Sequence, residues 1–84
     1  MRVVFADQGW EDFCYWIEHD LRIAKRVAQL IKDIEREPFE GLGKPEPLRH
    51  DLTGFWSRRV TDEHRLVYAV EKDVILVAQA RYHY

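Results

Sequence analysis

An α+β domain, with a helical hairpin packed on one face of a mostly antiparallel twisted sheet, is the fold class this sequence predicts. Three observations lead to it. Apolar residues recur at helical spacing through residues 8–36, and the apolar period falls to two after a Pro- and Gly-rich stretch at 37–47. A short β-branched run at 2–6 precedes the helices. The 84 residues leave room for one domain with one core, taken as 1–84.

The elements follow in order. Arg-Val-Val-Phe-Ala at 2–6 reads as a short buried strand. Asp7 is a suitable N-cap for a helix over roughly 8–18. There Trp10, Phe13, Cys14 and Ile17 follow the i, i+3, i+4, i+7 template, with Glu11, Asp12 and Glu18 on the other side. His19-Asp20 breaks the run, and Asp20 can cap a second helix over about 21–36. Its stripe is Ile23, Val27, Leu30, Ile31 and Ile34, with Lys25, Arg26, Lys32 and Arg36 largely off it. Pro38, Pro45, Pro47, Gly41 and Gly43 then impose an extended, turn-rich loop, with room for a short strand around 47–52. Residues 55–61, 65–70 and 74–80 read as three strands joined by polar connections at 61–64 and 71–73, giving the order β-α-α-β-β-β with one optional extra strand.

Composition excludes several classes. Eleven aromatics and 46% hydrophobic residues exclude a disordered tail. Wholly apolar runs stop at five residues, too short for a membrane span or a secretory leader. The lone Cys14 forms no internal disulfide, and no cysteine cluster suggests zinc; on an apolar helix face it reads as inert. A net charge of −2 argues against a generic nucleic-acid binder. The total hides an asymmetry: residues 1–43 carry six Lys/Arg against nine Asp/Glu, and residues 44–84 seven against six.

The sheet face away from the helices holds the chemistry. If the first hairpin pairs Arg59 with Arg65 and the second pairs Val70 with Val74, Arg65 falls beside Gln79. Arg81 and His83 then join Arg59 and Arg65 on one polar surface, with Leu66, Tyr68 and Val70 facing the core. A one-residue slip would split the cluster. Adjacent guanidinium groups suit a phosphate and the extra charge of its pentacoordinate transition state. Glu46, stiffened between Pro45 and Pro47, lies four residues from His50 with Lys44 and Arg49 nearby, a set suited to proton transfer at a phosphate. In the ending Arg81-Tyr82-His83-Tyr84, an imidazolium could protonate a leaving oxygen and Tyr84 could stack on a base.

Each feature also has a plainer reading. An exposed Glu in a polar loop usually serves solubility, and Glu-x-x-x-His is too sparse to define a metal centre. Alternation turns Arg58 to the opposite face, where edge protection and pairing with Asp62 or Glu63 suffice. His64 reads as a solvated turn residue and Tyr82 as a pin for the last strand. Trp10, Phe13 and Trp16 read as helix-hairpin core. The residues alone support a small α+β domain with a phosphate-handling face.

A resemblance takes the reading further. Pro38-Phe39-Glu40-Gly41, Gly43-Lys44-Pro45-Glu46-Pro47-Leu48, Gly54-Phe55-Trp56-Ser57-Arg58-Arg59, Glu63-His64-Arg65-Leu66-Val67-Tyr68 and Arg81-Tyr82-His83-Tyr84 together resemble the YoeB (Txe) toxins of the RelE/ParE superfamily, over essentially the whole chain. The resemblance implies a bacterial, cytoplasmic mRNA interferase that cleaves mRNA in the ribosomal A site without a metal or other cofactor. Glu46 would match the general base, His83 the general acid and Arg65 the phosphate-stabilising arginine. Arg59, His50 and Tyr84 would complete the site, with Lys44, Arg49 and Arg81 as weaker RNA or rRNA contacts. It also implies a YefM/Axe-type antitoxin, a homodimer, and operator DNA binding only as the toxin–antitoxin complex. A different class on the same scaffold is a non-catalytic binding module, such as a ParE-like gyrase inhibitor or an inactive toxin. Growth arrest with intact mRNA would mark that class. The acidic balance implies a weak grip on free RNA, with the ribosome supplying much of the positioning.

Overall fold

The computed structural model describes residues 1–82. β1 (Arg2–Phe5) leads into α1 (Asp7–His19) and α2 (Leu21–Arg36). Then follow β2 (Glu46–Pro47), a 3-10 turn (His50–Leu52), β3 (Trp56–Arg59), β4 (Arg65–Glu71) and β5 (Val74–Gln79). The two helices pack on a five-stranded sheet of order β1-β5-β4-β3-β2, in which β1 runs parallel to β5 and every other pair is antiparallel. Among the described residues no helix is long and apolar enough to cross a membrane.

α2 forms as its stripe requires. The Asp20 carboxylate accepts the backbone N–H groups of Arg22 and Ile23 at 3.2 and 3.4 Å, satisfying donors the first turn leaves unpaired. Glu37-Pro38 stops the helix, since the residue before proline is driven to extended backbone. Ala24, Val27, Leu30, Ile31 and Ile34 are buried with Leu66, Tyr68, Ile75 and Val77 of the sheet, each apolar side chain contributing roughly 1.5–3 kcal/mol.

α1 departs from expectation twice. Asp7 is the first helical residue and Ala6 the capping position, with no side-chain cap. The helix buries Gly9, Asp12 and Trp16, whereas Trp10 and Ile17 stay 53% and 47% exposed. Two close contacts set this rotation. A Cβ on Gly9 would overlap the Val77 carbonyl, so the glycine lets α1 sit directly on β5. The Asp12 carboxylate accepts the Ala80 N–H at 2.9 Å and the Gln8 side-chain N–H at 2.8 Å, which makes its burial tolerable.

Register is where the sequence reading slips. Arg59 does pair with Arg65. The second hairpin, however, turns on Lys72 and Asp73, pairing Glu71 with Val74 and Val70 with Ile75, and a bulge between Val67 and Tyr68 shifts the ladder again. Val67, not Arg65, therefore faces Gln79, while the Arg65 N–H donates to the Tyr82 carbonyl at 3.1 Å. The strand expected around 47–52 is the two-residue β2 followed by the 3-10 turn.

Candidate active site

The core face of the sheet carries Leu66, Tyr68 and Val70 of β4 and Ile75 and Val77 of β5, so alternation assigns their neighbours on β3 and β4 to the face away from the helices. Glu46 pairs with Ser57, Ser57 with Val67, and Val67 with Gln79, forming one row across that face. The next row on β3 and β4 is Arg59 opposite Arg65. A carboxylate and two guanidinium groups thus share one surface, the Glu46 row and the arginine row being successive along β3. Directly opposed like charges cost roughly 0.2–1 kcal/mol, a cost that a bound anion would reverse.

Each residue is positioned by a different device. Arg65 is half-buried, and its Nη1 donates to the carbonyls of Thr61, Asp62 and His64 at 2.8, 3.1 and 3.1 Å, anchoring one end of the guanidinium over the β3–β4 turn. Arg59 is exposed; its N–H donates to the Gly43 carbonyl at 2.6 Å and its carbonyl accepts Arg26 Nη2 at 3.4 Å. Gly43, at φ 77°, lies against Leu30, Arg58 and the Arg59 carbonyl, where any Cβ would crowd. Glu46 is exposed on a segment that starts at Lys44 (φ 55°) and ends at His50 (φ 58°), two left-handed non-glycine positions. Such backbone costs about 1–3 kcal/mol per residue and persists where the surroundings impose it. His50 and Arg49 are exposed and border a small hollow with Pro47, Leu48 and Leu52.

Arg81 does not join this surface. Its guanidinium lies 3.4 Å from the Tyr15 ring centroid and 5.9 Å from that of Trp16, against α1. β5 ends at Gln79, and the bonds of the Ala80 backbone to Asp12 and Trp16 carry the chain against α1, so Arg81 does not take the expected place beside Arg59 and Arg65. His83 and Tyr84 lie outside the described residues.

Two residues prove more consequential than the sequence suggested. Arg58 is fully buried and pairs with Asp33, not with Asp62 or Glu63, at 2.6 Å. Its guanidinium also donates to the carbonyls of Glu37, Glu40 and Leu42 at 2.7, 3.0 and 3.0 Å, and Nε donates to the Tyr68 hydroxyl at 3.2 Å. That hydroxyl in turn donates to the Pro38 carbonyl at 2.7 Å. One side chain therefore shapes the loop that leads to Glu46. The Leu42 N–H and the Arg58 guanidinium hold the Asp33 carboxyl down at about 2, while burial pushes the Tyr68 hydroxyl up. His64 is half-buried, packs edge-on against Trp16 at 4.8 Å between ring centroids, and accepts the Tyr82 N–H at Nδ1. The alternation that turned Arg58 inward was the only sequence signal for the first; nothing local marked the second.

Farther along the sheet an apolar groove of about 780 Å³ is lined by Val4, Phe55, Ala69 and Leu76 among others. Among the described residues no group of three or more His, Cys, Asp or Glu side chains is placed to hold a metal ion.

The comparisons with known proteins agree along the length of the chain. A family model described as a YoeB-like toxin of bacterial type II toxin-antitoxin systems matches residues 5–84. Toxin YoeB of Escherichia coli strain K12 is 58% identical over 84 residues, covering 100% of both chains. Among solved structures, a YoeB/ParE toxin from Agrobacterium tumefaciens is 44% identical, covers 100% of both chains and has a TM-score of 0.97. Two Staphylococcus aureus structures, of a YoeB dimer and of a heterotetrameric YoeB–YefM toxin–antitoxin complex, are each 42% identical. They cover 100% of this chain and 98% of their own, with TM-scores of 0.94 and 0.92.

Proposed function

Because the chain belongs to the YoeB-like toxins of bacterial type II toxin–antitoxin systems, we propose that it is a ribosome-dependent endoribonuclease acting on A-site mRNA. The observation that carries this reading is the sheet register, which puts Glu46 on the same sheet face as the opposed pair Arg59 and Arg65.

Glu46 takes the proton of a ribose 2′-hydroxyl, and that oxygen attacks the adjacent phosphorus. Arg65 and Arg59 stabilise the charge that accumulates on the phosphoryl oxygens. The bond from phosphorus to the 5′-oxygen breaks as His83 protonates the leaving oxygen, giving a 2′,3′-cyclic phosphate and a 5′-hydroxyl. His50 supports the carboxylate side of the site and Tyr84 stacks on a base; Lys44 and Arg49 are candidates for RNA or rRNA phosphates. The same face suits an acidic antitoxin segment of the YefM kind, and the dimer and complex described for Staphylococcus aureus YoeB support a homodimer and such a partner here. The toxin–antitoxin complex would be the form that binds operator DNA.

Glu46→Ala, Arg65→Ala and His83→Ala should each slow cleavage of ribosome-bound mRNA by about 10²–10⁴-fold, the usual worth of positioned acid–base groups, while antitoxin binding survives. End-group mapping should show 2′,3′-cyclic phosphates. Wild-type rates in all three variants, or growth arrest with intact mRNA, would leave a non-catalytic binding module as the answer.

A further inference from the structure

We propose that His64 is a positioning residue for the proposed reaction: it latches the backbone of Tyr82, which in sequence directly precedes His83. This rests on the endoribonuclease reading above.

The chain from Ala80 to Tyr82 is held at every residue. Asp12 accepts the Ala80 N–H at 2.9 Å, and the Trp16 indole N–H donates to the Ala80 carbonyl at 2.9 Å. Arg81 lies over Tyr15, and its Nη2 donates to the Tyr82 hydroxyl at 3.0 Å. Tyr82 is then gripped at both polar backbone groups by consecutive residues of the β3–β4 hairpin. Its N–H donates to His64 Nδ1 at 2.8 Å, and its carbonyl accepts the Arg65 N–H at 3.1 Å.

Two consequences follow. A backbone amide can only donate, so Nδ1 of His64 carries no proton and the ring hydrogen sits on Nε2. Tyr82 adopts φ 62°, a left-handed conformation that a tyrosine keeps only where its surroundings impose it. The His64 ring supplies that constraint and is itself fixed, edge-on to Trp16 at 4.8 Å and tilted against Tyr82 at 5.4 Å. Without an acceptor at Nδ1, Tyr82 relaxes towards extended backbone. Because Arg65 follows His64 directly, the hairpin that presents the phosphate-binding guanidinium also holds Tyr82.

The test is steady-state cleavage by the whole protein on programmed ribosomes, comparing wild type, His64→Leu and His64→Asn. Leucine removes the acceptor, and kcat should fall by about 10- to 100-fold with little change in KM, the loss expected when local geometry shifts by about an ångström. Asparagine presents a carbonyl oxygen where Nδ1 stood, so it should restore most of kcat. A His64→Leu enzyme with wild-type kcat overturns the proposal, as does a loss confined to KM or one that asparagine fails to recover. If the leucine variant does not fold, ¹⁵N shifts of the wild-type imidazole decide instead. An unprotonated, hydrogen-bonded Nδ1 supports the latch and an Nδ1–H tautomer overturns it. A wild-type protein that leaves ribosome-bound mRNA intact refutes the nuclease reading and this proposal with it. An active wild type indifferent to His64 refutes the proposal alone.

Discussion

Replacing Arg58 with methionine should cost this domain far more than the same change at its exposed neighbour Arg59. Arg58 is fully buried, ion-paired with Asp33, and donates to three loop carbonyls and one hydroxyl. Methionine fills much of the volume but donates nothing, leaving the carbonyls of Glu37, Glu40 and Leu42 without their guanidinium donor. Removing one partner of a buried pair typically costs about 3–5 kcal/mol. A chain of 84 residues is stable by roughly 4–13 kcal/mol at usual per-residue values, so Arg58→Met should remove from a quarter of that stability to all of it. Each kcal/mol shifts the melting temperature of such a domain by about 4–8 °C, so the variant should melt more than ~12 °C lower. Arg59→Met should stay within about 0.5 kcal/mol of wild type. Urea unfolding followed by far-ultraviolet circular dichroism reads both, and equal midpoints for the two variants would refute the buried-staple reasoning. A second variant separates the ion pair from the loop. Were Asp33 the only important partner, Asp33→Leu combined with Arg58→Met would recover stability, as hydrophobic replacement of a whole buried pair often does. Three orphaned carbonyls remain in the double variant, so it should stay well below wild type.

The Asp33 carboxyl, normally near 3.8, is held at about 2 by Leu42 and Arg58. A depressed folded-state value means its stabilisation is complete above about pH 4 and fades as pH falls from there through 2. The urea midpoint of wild type should drop over that window, and the drop should shrink in Asp33→Asn. Gly9→Ala should destabilise by about 1–3 kcal/mol because the added methyl meets the Val77 carbonyl, against a helix propensity that favours alanine by ~1 kcal/mol. A Gly9→Ala protein that melts above wild type would show that α1 can lift off β5 freely.

What was legible follows from how far each signal reaches along the chain. α2 was readable to its ends because a sixteen-residue stripe, an Asp cap and a Glu-Pro stop are all local. α1 was readable as a helix but not in rotation, since its apolar residues Trp10 and Ile17 stay outside while Asp12 goes in to meet Ala80, 68 residues away. The first hairpin register was right, and it carries Arg59 and Arg65. The second was off by one because its turn uses two residues, and the bulge at Val67/Tyr68 adds another step with no glycine or proline to announce it. Arg58 to Asp33 and His64 to Tyr82 close over 25 and 18 residues. Such pairings arise from the fold, and no local pattern encodes them.

The charge distribution gains meaning once the cations are placed. Residues 44–84 hold seven Lys/Arg against six Asp/Glu, but Arg58 is buried and neutralised by Asp33. The surface of that half is therefore balanced, Arg81 is folded against α1, and Arg65 is anchored over its own turn. On the proposed function, a site built this way would bind a phosphate through local geometry, with little long-range field to concentrate free polynucleotide. Affinity for naked RNA should be weak and only shallowly salt-dependent, since few phosphates are neutralised at once. Positioning by the ribosome would supply what the surface lacks, and a rigidly presented substrate can gain several orders of magnitude in effective concentration. Cleavage of one mRNA measured free and on programmed ribosomes, across a salt series, should thus show strong ribosome stimulation that persists at high salt. Equal rates on both substrates, or a steep salt dependence on naked RNA, would mean that the arginine row and its surroundings grip RNA unaided.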